Sequence, residues 1–391
     1  MAVVRRSLEL VFAAVAILLI ISLAFNILQY SAPTPSGGNT LIFTCPTPTC
    51  TACPSSTPGI TLGVLNPPVA GTLDGKLALV YELQVSNYTP RVLERVEAID
   101  NSTGAIIKSL AGDELNNSLK HDFRSLGNVV FMWVEPSADV SAIHNKLYFS
   151  DGSVVEGGDT SVNHTAPITI GFPLAGGNWL AANGPSNYVG HRQTTFTLNG
   201  KAFISQRYAI DWMQYGPNGK LYKTDGKALD DYYCYGADVL AVADGTVIDT
   251  KDYLPENVPG QLPQVSAFNA GGNYVVLQIG NSTSYAFYAH MIPGSIKVKI
   301  GDRVRKGDMI GRLGSAGNSD APHLHFQVMA GRDVFFAQGL PYEFESYQVV
   351  GLARDWAPHW GTNGTWSGWL ASPVVKRNTM PIDGDVVNFT G

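Results

Sequence analysis

Beyond residue 59, no stretch of this chain keeps a helical apolar period for more than a few turns. Short runs alternate apolar and polar residues instead. They include residues 76–88, 91–100, 127–136 and 145–152, then 239–249, 273–280, 285–291 and 323–329. Gly, Asp, Asn and Pro punctuate them, and an alternating run bounded by turn residues is the mark of a half-buried strand. A chain so written folds mainly as β structure. Its 41 glycines and 23 prolines fit frequent turns, and an apolar share of 45% is enough for sizeable cores. At 391 residues the chain is too long for one ordinary domain. A net charge of −6 with no basic stripe excludes a general nucleic-acid binder.

The exception to the β pattern lies at the start. Residues 8–28 are almost wholly apolar, and about 21 helical residues span roughly 30 Å, the thickness of a bilayer core. Arg5 and Arg6 precede the run and no basic residue closely follows it, so the amino end is expected in the cytoplasm and the rest outside. The alternative is a cleaved signal peptide, whose apolar stretch is usually shorter, about 7–15 residues. The expected organisation is a cytoplasmic tip and transmembrane anchor (1–30), a stalk (31–59), a β-sandwich (60–168) and a second β lobe (169–391). The stalk is rich in Pro, Thr and Ser and holds Cys45, Cys50 and Cys53. An oxidising compartment favours disulfides within it or between two chains, giving a disulfide-linked dimer, with one thiol left free or paired elsewhere. Cys234 is the remaining cysteine. Seven N-x-S/T sequons, at Asn87, Asn101, Asn116, Asn163, Asn281, Asn363 and Asn388, suit a glycosylated surface protein.

The chemistry concentrates in the second lobe. His323 and His325 stand two apart, so on a strand both imidazoles point to one side. His290 closes an apolar strand, and Asp211 ends another; an acid there needs a cation or a metal as partner. His121, His144 and His164 in the sandwich are isolated, and His359 reads as structural or exposed.

Together these elements resemble the LytM/lysostaphin-type zinc metallopeptidases, a murein-hydrolase endopeptidase family. The similarity runs through Tyr235-Gly236-Ala237, Ala243-Asp244-Gly245-Thr246-Val247, Tyr288-Ala289-His290, Val298–Val304, Lys306–Gly311 and Pro322-His323-Leu324-His325-Phe326. The resemblance implies an antiparallel, barrel-sandwich-like peptidase lobe. It also implies His325 and Asp211 as zinc ligands, with His290 and His323 as catalytic imidazoles. Such a set leaves a zinc position open for a substrate, while nearby imidazoles move protons.

One position departs from the pattern. Four residues before Asp211, where the family has histidine, stands Arg207, and a guanidinium does not ligate zinc. The nearest upstream replacement is His191. An Asn199-Gly200 turn signals a hairpin between the two. A two-residue turn sets His191 opposite Tyr208, away from Asp211's face. A three-residue loop or a bulge sets it opposite Arg207, on that face. The function expected is a single-pass, membrane-anchored, extracytoplasmic zinc endopeptidase acting on cell-envelope peptide, with peptidoglycan cross-links as substrate. The alternative is a degenerate lobe that binds envelope peptides or regulates another hydrolase.

Overall fold

A computed structural model describes residues 59–87, 91–121, 123, 126–354 and 365–389. All belong to one of the chain's two compact units, Pro54–Gly391. The apolar run 8–28, the three stalk cysteines, Asn363 and His359 lie outside the described residues. Among the described residues no helix is long and apolar enough to cross a membrane.

Residues 61–161 form a five-stranded and a four-stranded sheet. Alternation drives both: Ala142–Phe149 buries every second side chain. Leu79, Tyr81, Leu83 and Val85 point from the strand Lys76–Ser86 into a core shared with Val96, Ile143 and Leu147 of the other sheet. The opposite face of Lys76–Ser86 is covered as well. Ala78 and Val80 join the main core of the second lobe, beside Trp212, Tyr342 and Val386. Polar ties reinforce the contact: Thr379 Oγ1 donates to Thr72 O at 2.9 Å, and Gln338 Nε2 to Asn66 Oδ1 at 3.0 Å.

The second lobe is built on an eleven-stranded sheet. Its centre carries the site. Ile210–Gln214 lies between Gly176–Ala182 and Leu324–Met329, and Leu324–Met329 in turn pairs with Tyr285–Met291. On the far side, Gly176–Ala182 pairs with Asp385–Phe389, which pairs with Tyr342–Leu352. The expectation of an antiparallel lobe needs one correction: Ile168–Ile170 runs parallel to Tyr342–Leu352. Leu324–Met329 is buried throughout: Leu324, Phe326 and Val328 enter the main core, while His325 and Gln327 on the other face line a cavity.

The hairpin takes the two-residue turn and does not itself bring His191 to Asp211. Leu198 faces Lys201 across a two-residue turn, with Asn199 and Gly200 at φ 50° and 74°. These are the left-handed values such a turn needs. The ladder ends at Phe196 and Phe203 and never reaches His191. His191 sits on a separate helical turn, Gly190–Gln193. Cys234 is buried, its Sγ 3.1 Å from Pro322 O.

Candidate metal centre

Register assembles the core of the site. Asp211 faces His325 directly across the antiparallel pair, and Ala289 faces His325 from the other side. His290 follows at a φ of 65°, where a β-branched or bulky residue rarely goes. The pairing irregularity between Asn273 and Val275 lies opposite this end of the strand. His323 immediately precedes its strand and stacks toward His290, with ring centroids 4.6 Å apart. His191 arrives from Gly190–Gln193, its ring 4.8 Å from that of His325. Ligand-type atoms of His191, Asp211 and His325 all lie within 4.8 Å of one another.

Carbonyl groups fix the tautomers, because a carbonyl oxygen only accepts. His191 donates from Nδ1 to Asn183 O at 2.8 Å, which turns the Nε2 lone pair toward Asp211 Oδ2 at 3.3 Å. His325 donates from Nε2 to Gln327 Oε1 at 3.0 Å, which turns Nδ1 toward Asp211 Oδ1 at 3.0 Å. His290 donates from Nδ1 to Ala316 O at 2.7 Å, and His323 from Nδ1 to Ala321 O at 2.8 Å. His323 Nε2 then stands 3.5 Å from Asp211 Oδ1. Asn183 also donates from Nδ2 to Asp211 Oδ2 at 3.0 Å.

The result is a buried carboxylate flanked by imidazole nitrogens whose other ring positions are already committed. Lone pairs set against carboxylate oxygens require a cation between them, either protons or a metal. Electrostatics agree. Burial alone would raise the Asp211 carboxyl, but His191 and His323 hold it well below its ordinary value. Burial alone would lower the His191 imidazole, yet Asp211 pulls it above its ordinary value. His290 is pushed well below its ordinary value by burial and then by His323 and His325, and burial also lowers His325. A nitrogen–oxygen–nitrogen set of this kind suits zinc.

The cavity above these groups measures about 520 Å³ and is walled by Leu262, Phe287, Val334 and Phe335. Among the described residues no Lys or Arg lines it. His144 and His164 lie in the first lobe, paired with Asp159 and Asp139. Arg207 is turned away from the metal-type cluster and ion-pairs with Glu82 of the first lobe.

Sequence reasoning missed Asn183 and Gln327. Gln327 was open to discovery, since it lies two residues beyond His325 and so on its face. Asn183 carries no such signal; its place depends on a φ of 48° at the end of Gly176–Ala182.

Residues 227–335 match Peptidase family M23. Glycyl-glycine endopeptidase ALE-1 of Staphylococcus capitis is 33% identical over 103 residues, 26% of this chain and 24% of that protein. Peptidoglycan DD-endopeptidase ShyA of Vibrio cholerae is 34% identical over 100 residues, 25% of this chain and 19% of that one. The similarity thus spans about a quarter or less of these relatives. The lysostaphin catalytic domain of Staphylococcus simulans aligns over 42% of this chain and 88% of its own, at 24% identity and a TM-score of 0.25. The family match spans His290, His323 and His325 together with the strands that carry them, and the chain therefore contains a peptidase family M23 domain.

Proposed function

We propose that the protein is a membrane-anchored zinc endopeptidase with its lobes outside the cytoplasm, cutting peptide bonds in cell-envelope polymer. Peptidoglycan cross-links are the substrate proposed, in line with the names of the relatives above. One observation carries the reading: His191 Nε2 and His325 Nδ1 face the two oxygens of Asp211 at 3.3 and 3.0 Å, each with its other nitrogen already donating. His191, Asp211 and His325 would hold the zinc, with His191 standing in for the histidine that Arg207 replaces. When bound, zinc supplies Lewis-acid polarisation of the scissile carbonyl and acidifies an attacking water.

The chain's own residues do the rest. Burial and its imidazole neighbours keep His290 in the neutral form, and with Nδ1 donating to Ala316 O its Nε2 is the atom that would take a proton. His323, 4.6 Å from it ring to ring, can steady the developing oxyanion or return a proton to the leaving amine. The cleft offers apolar side chains (Leu262, Phe287, Val334, Phe335) beside polar ones (Gln206, Asn318) for packing and hydrogen-bonding a peptide. The apolar run 8–28, led by Arg5 and Arg6, supports the anchor and its orientation.

A second reading, a binding module without turnover, draws on Arg207 at the family's histidine position. Metal analysis of the purified protein joined to hydrolysis of cross-linked envelope peptides decides between them. One equivalent of zinc with cleavage supports the enzyme; zinc without cleavage of any envelope peptide supports the binding module; no zinc refutes the metal site.

A further inference from the structure

Arg207 has a partner that gives its substitution a purpose. Glu82 stands mid-strand in Lys76–Ser86 of the first lobe and is wholly buried. Its Oε1 accepts from Arg192 Nη1 and from Arg207 Nε at 3.2 Å, and its Oε2 from Arg207 Nη2 at 2.8 Å. Arg192 also donates to Tyr81 O at 2.9 Å and lies over the Phe131 ring at 4.8 Å. All three charged groups are buried.

The positions of the two arginines matter. Arg192 follows His191 directly, and Arg207 precedes Asp211 by four residues. One carboxylate of the first lobe therefore ties down both segments that bring ligand-type residues to the metal centre from this side. The His191 segment needs such a tie. A four-residue turn cannot hold its own geometry, Gly190–Gln193 has no side-chain cap, and Arg192 is its buried residue. Upstream, Asn187 Nδ2 donates to Phe131 O at 2.7 Å, docking the same loop on the same lobe. Packing alone would not call for this chemistry, since apolar residues fill a buried space at less desolvation cost than a carboxylate and two guanidiniums.

We propose that Glu82 is a positioning residue of the metal centre: through Arg192 and Arg207 it fixes His191 Nε2 against Asp211, so the first lobe is part of the ligand-holding apparatus. The proposal rests on the reading of His191, Asp211 and His325 as a zinc site.

The test measures zinc affinity of the full chain by chelator competition, with the visible spectrum of the cobalt-loaded protein as a check on ligand geometry. Glu82→Gln keeps the shape and removes the charge; it is expected to weaken zinc about 10–100-fold, the range for residues that orient a ligand. In a His191→Ala background the same change should cost nothing further, because the ligand it acts through is gone. Should Glu82→Gln fail to fold, the triple replacement Glu82→Leu, Arg192→Met, Arg207→Met removes the cluster without stranding a charge. That variant is expected to fold and to show the same weakening and an altered cobalt spectrum. A folded variant of either kind binding zinc as tightly as the wild type overturns the proposal, as does an undiminished Glu82→Gln effect without His191. If the wild type itself binds no zinc, the functional reading falls first and this inference with it.

Discussion

Replacing Gly272 by alanine tests how His290 is held. Gly272 has a φ of +60°, and an added Cβ would meet Ala316 O at 2.2 Å. That same oxygen accepts the His290 Nδ1–H bond at 2.7 Å. Two costs follow. A left-handed conformation with a Cβ costs about 1–2 kcal/mol. Relieving the clash moves the Ala316 carbonyl by about 1 Å, which breaks the bond and strands a buried N–H at about 1–3 kcal/mol. Gly280 provides the control: its φ is +54° and nothing lies within 4 Å of its would-be Cβ, so Gly280→Ala pays the conformational cost alone. Thermal unfolding should therefore place Gly272→Ala about 1–4 °C below Gly280→Ala. Turnover of envelope peptide should fall about 100-fold in Gly272→Ala, as a misplaced catalytic imidazole implies, and stay near wild type in Gly280→Ala. Equal melting temperatures and equal rates in the two variants would refute the claim that Gly272 keeps the His290 tautomer in place.

Three other outcomes are expected. His290→Ala and His323→Ala should each abolish hydrolysis while retaining stoichiometric zinc; loss of zinc from either would mean that the division between ligands and proton carriers is wrong. In metal-stripped protein, His290 has a folded pKa well below its ordinary 6.5, so the unfolded chain takes up the proton first and stability falls as pH drops below 6.5. The loss approaches about 1.4 kcal/mol per pH unit, and His290→Asn should flatten the melting-temperature profile between pH 7 and 5; an unchanged profile contradicts the burial argument. Burial pushes the Cys234 thiol up to about 12, so peptide mapping after treatment of the native protein with iodoacetamide should find Cys234 unmodified, and labelled only after denaturation.

Period made the strands and the shared face of His323 and His325 legible in the sequence; the roles expected of His290, His325 and Asp211 come from the family resemblance. His191 follows from the sequence by elimination, but the hairpin does not carry it: the ladder stops at Phe196, and the residues before it form a helical turn with no local signal. Glu82 was illegible for a different reason. In residues 76–86 the alternation marks Leu79, Tyr81, Leu83 and Val85 as one buried face, which makes the face of Ala78, Val80 and Glu82 read as solvent-facing. A second lobe covers that face, and nothing local announces a neighbour more than a hundred residues away. Arg207 looked like a lost ligand for the same reason: its partner belongs to another part of the chain.

The order of strands has a consequence for how a cell makes this protein. Asp211 rests on a strand whose outer neighbour, Gly176–Ala182, is completed by Asp385–Phe389. A ribosome thus delivers just over two hundred residues between the first and last of these strands. During that interval Gly176–Ala182 presents an open edge, the kind of surface on which nascent chains mispair and clump. The sheet on that side of Asp211 is complete only once residues 385–389 have emerged. A protease that clips this strand away would reopen the same edge in the mature molecule.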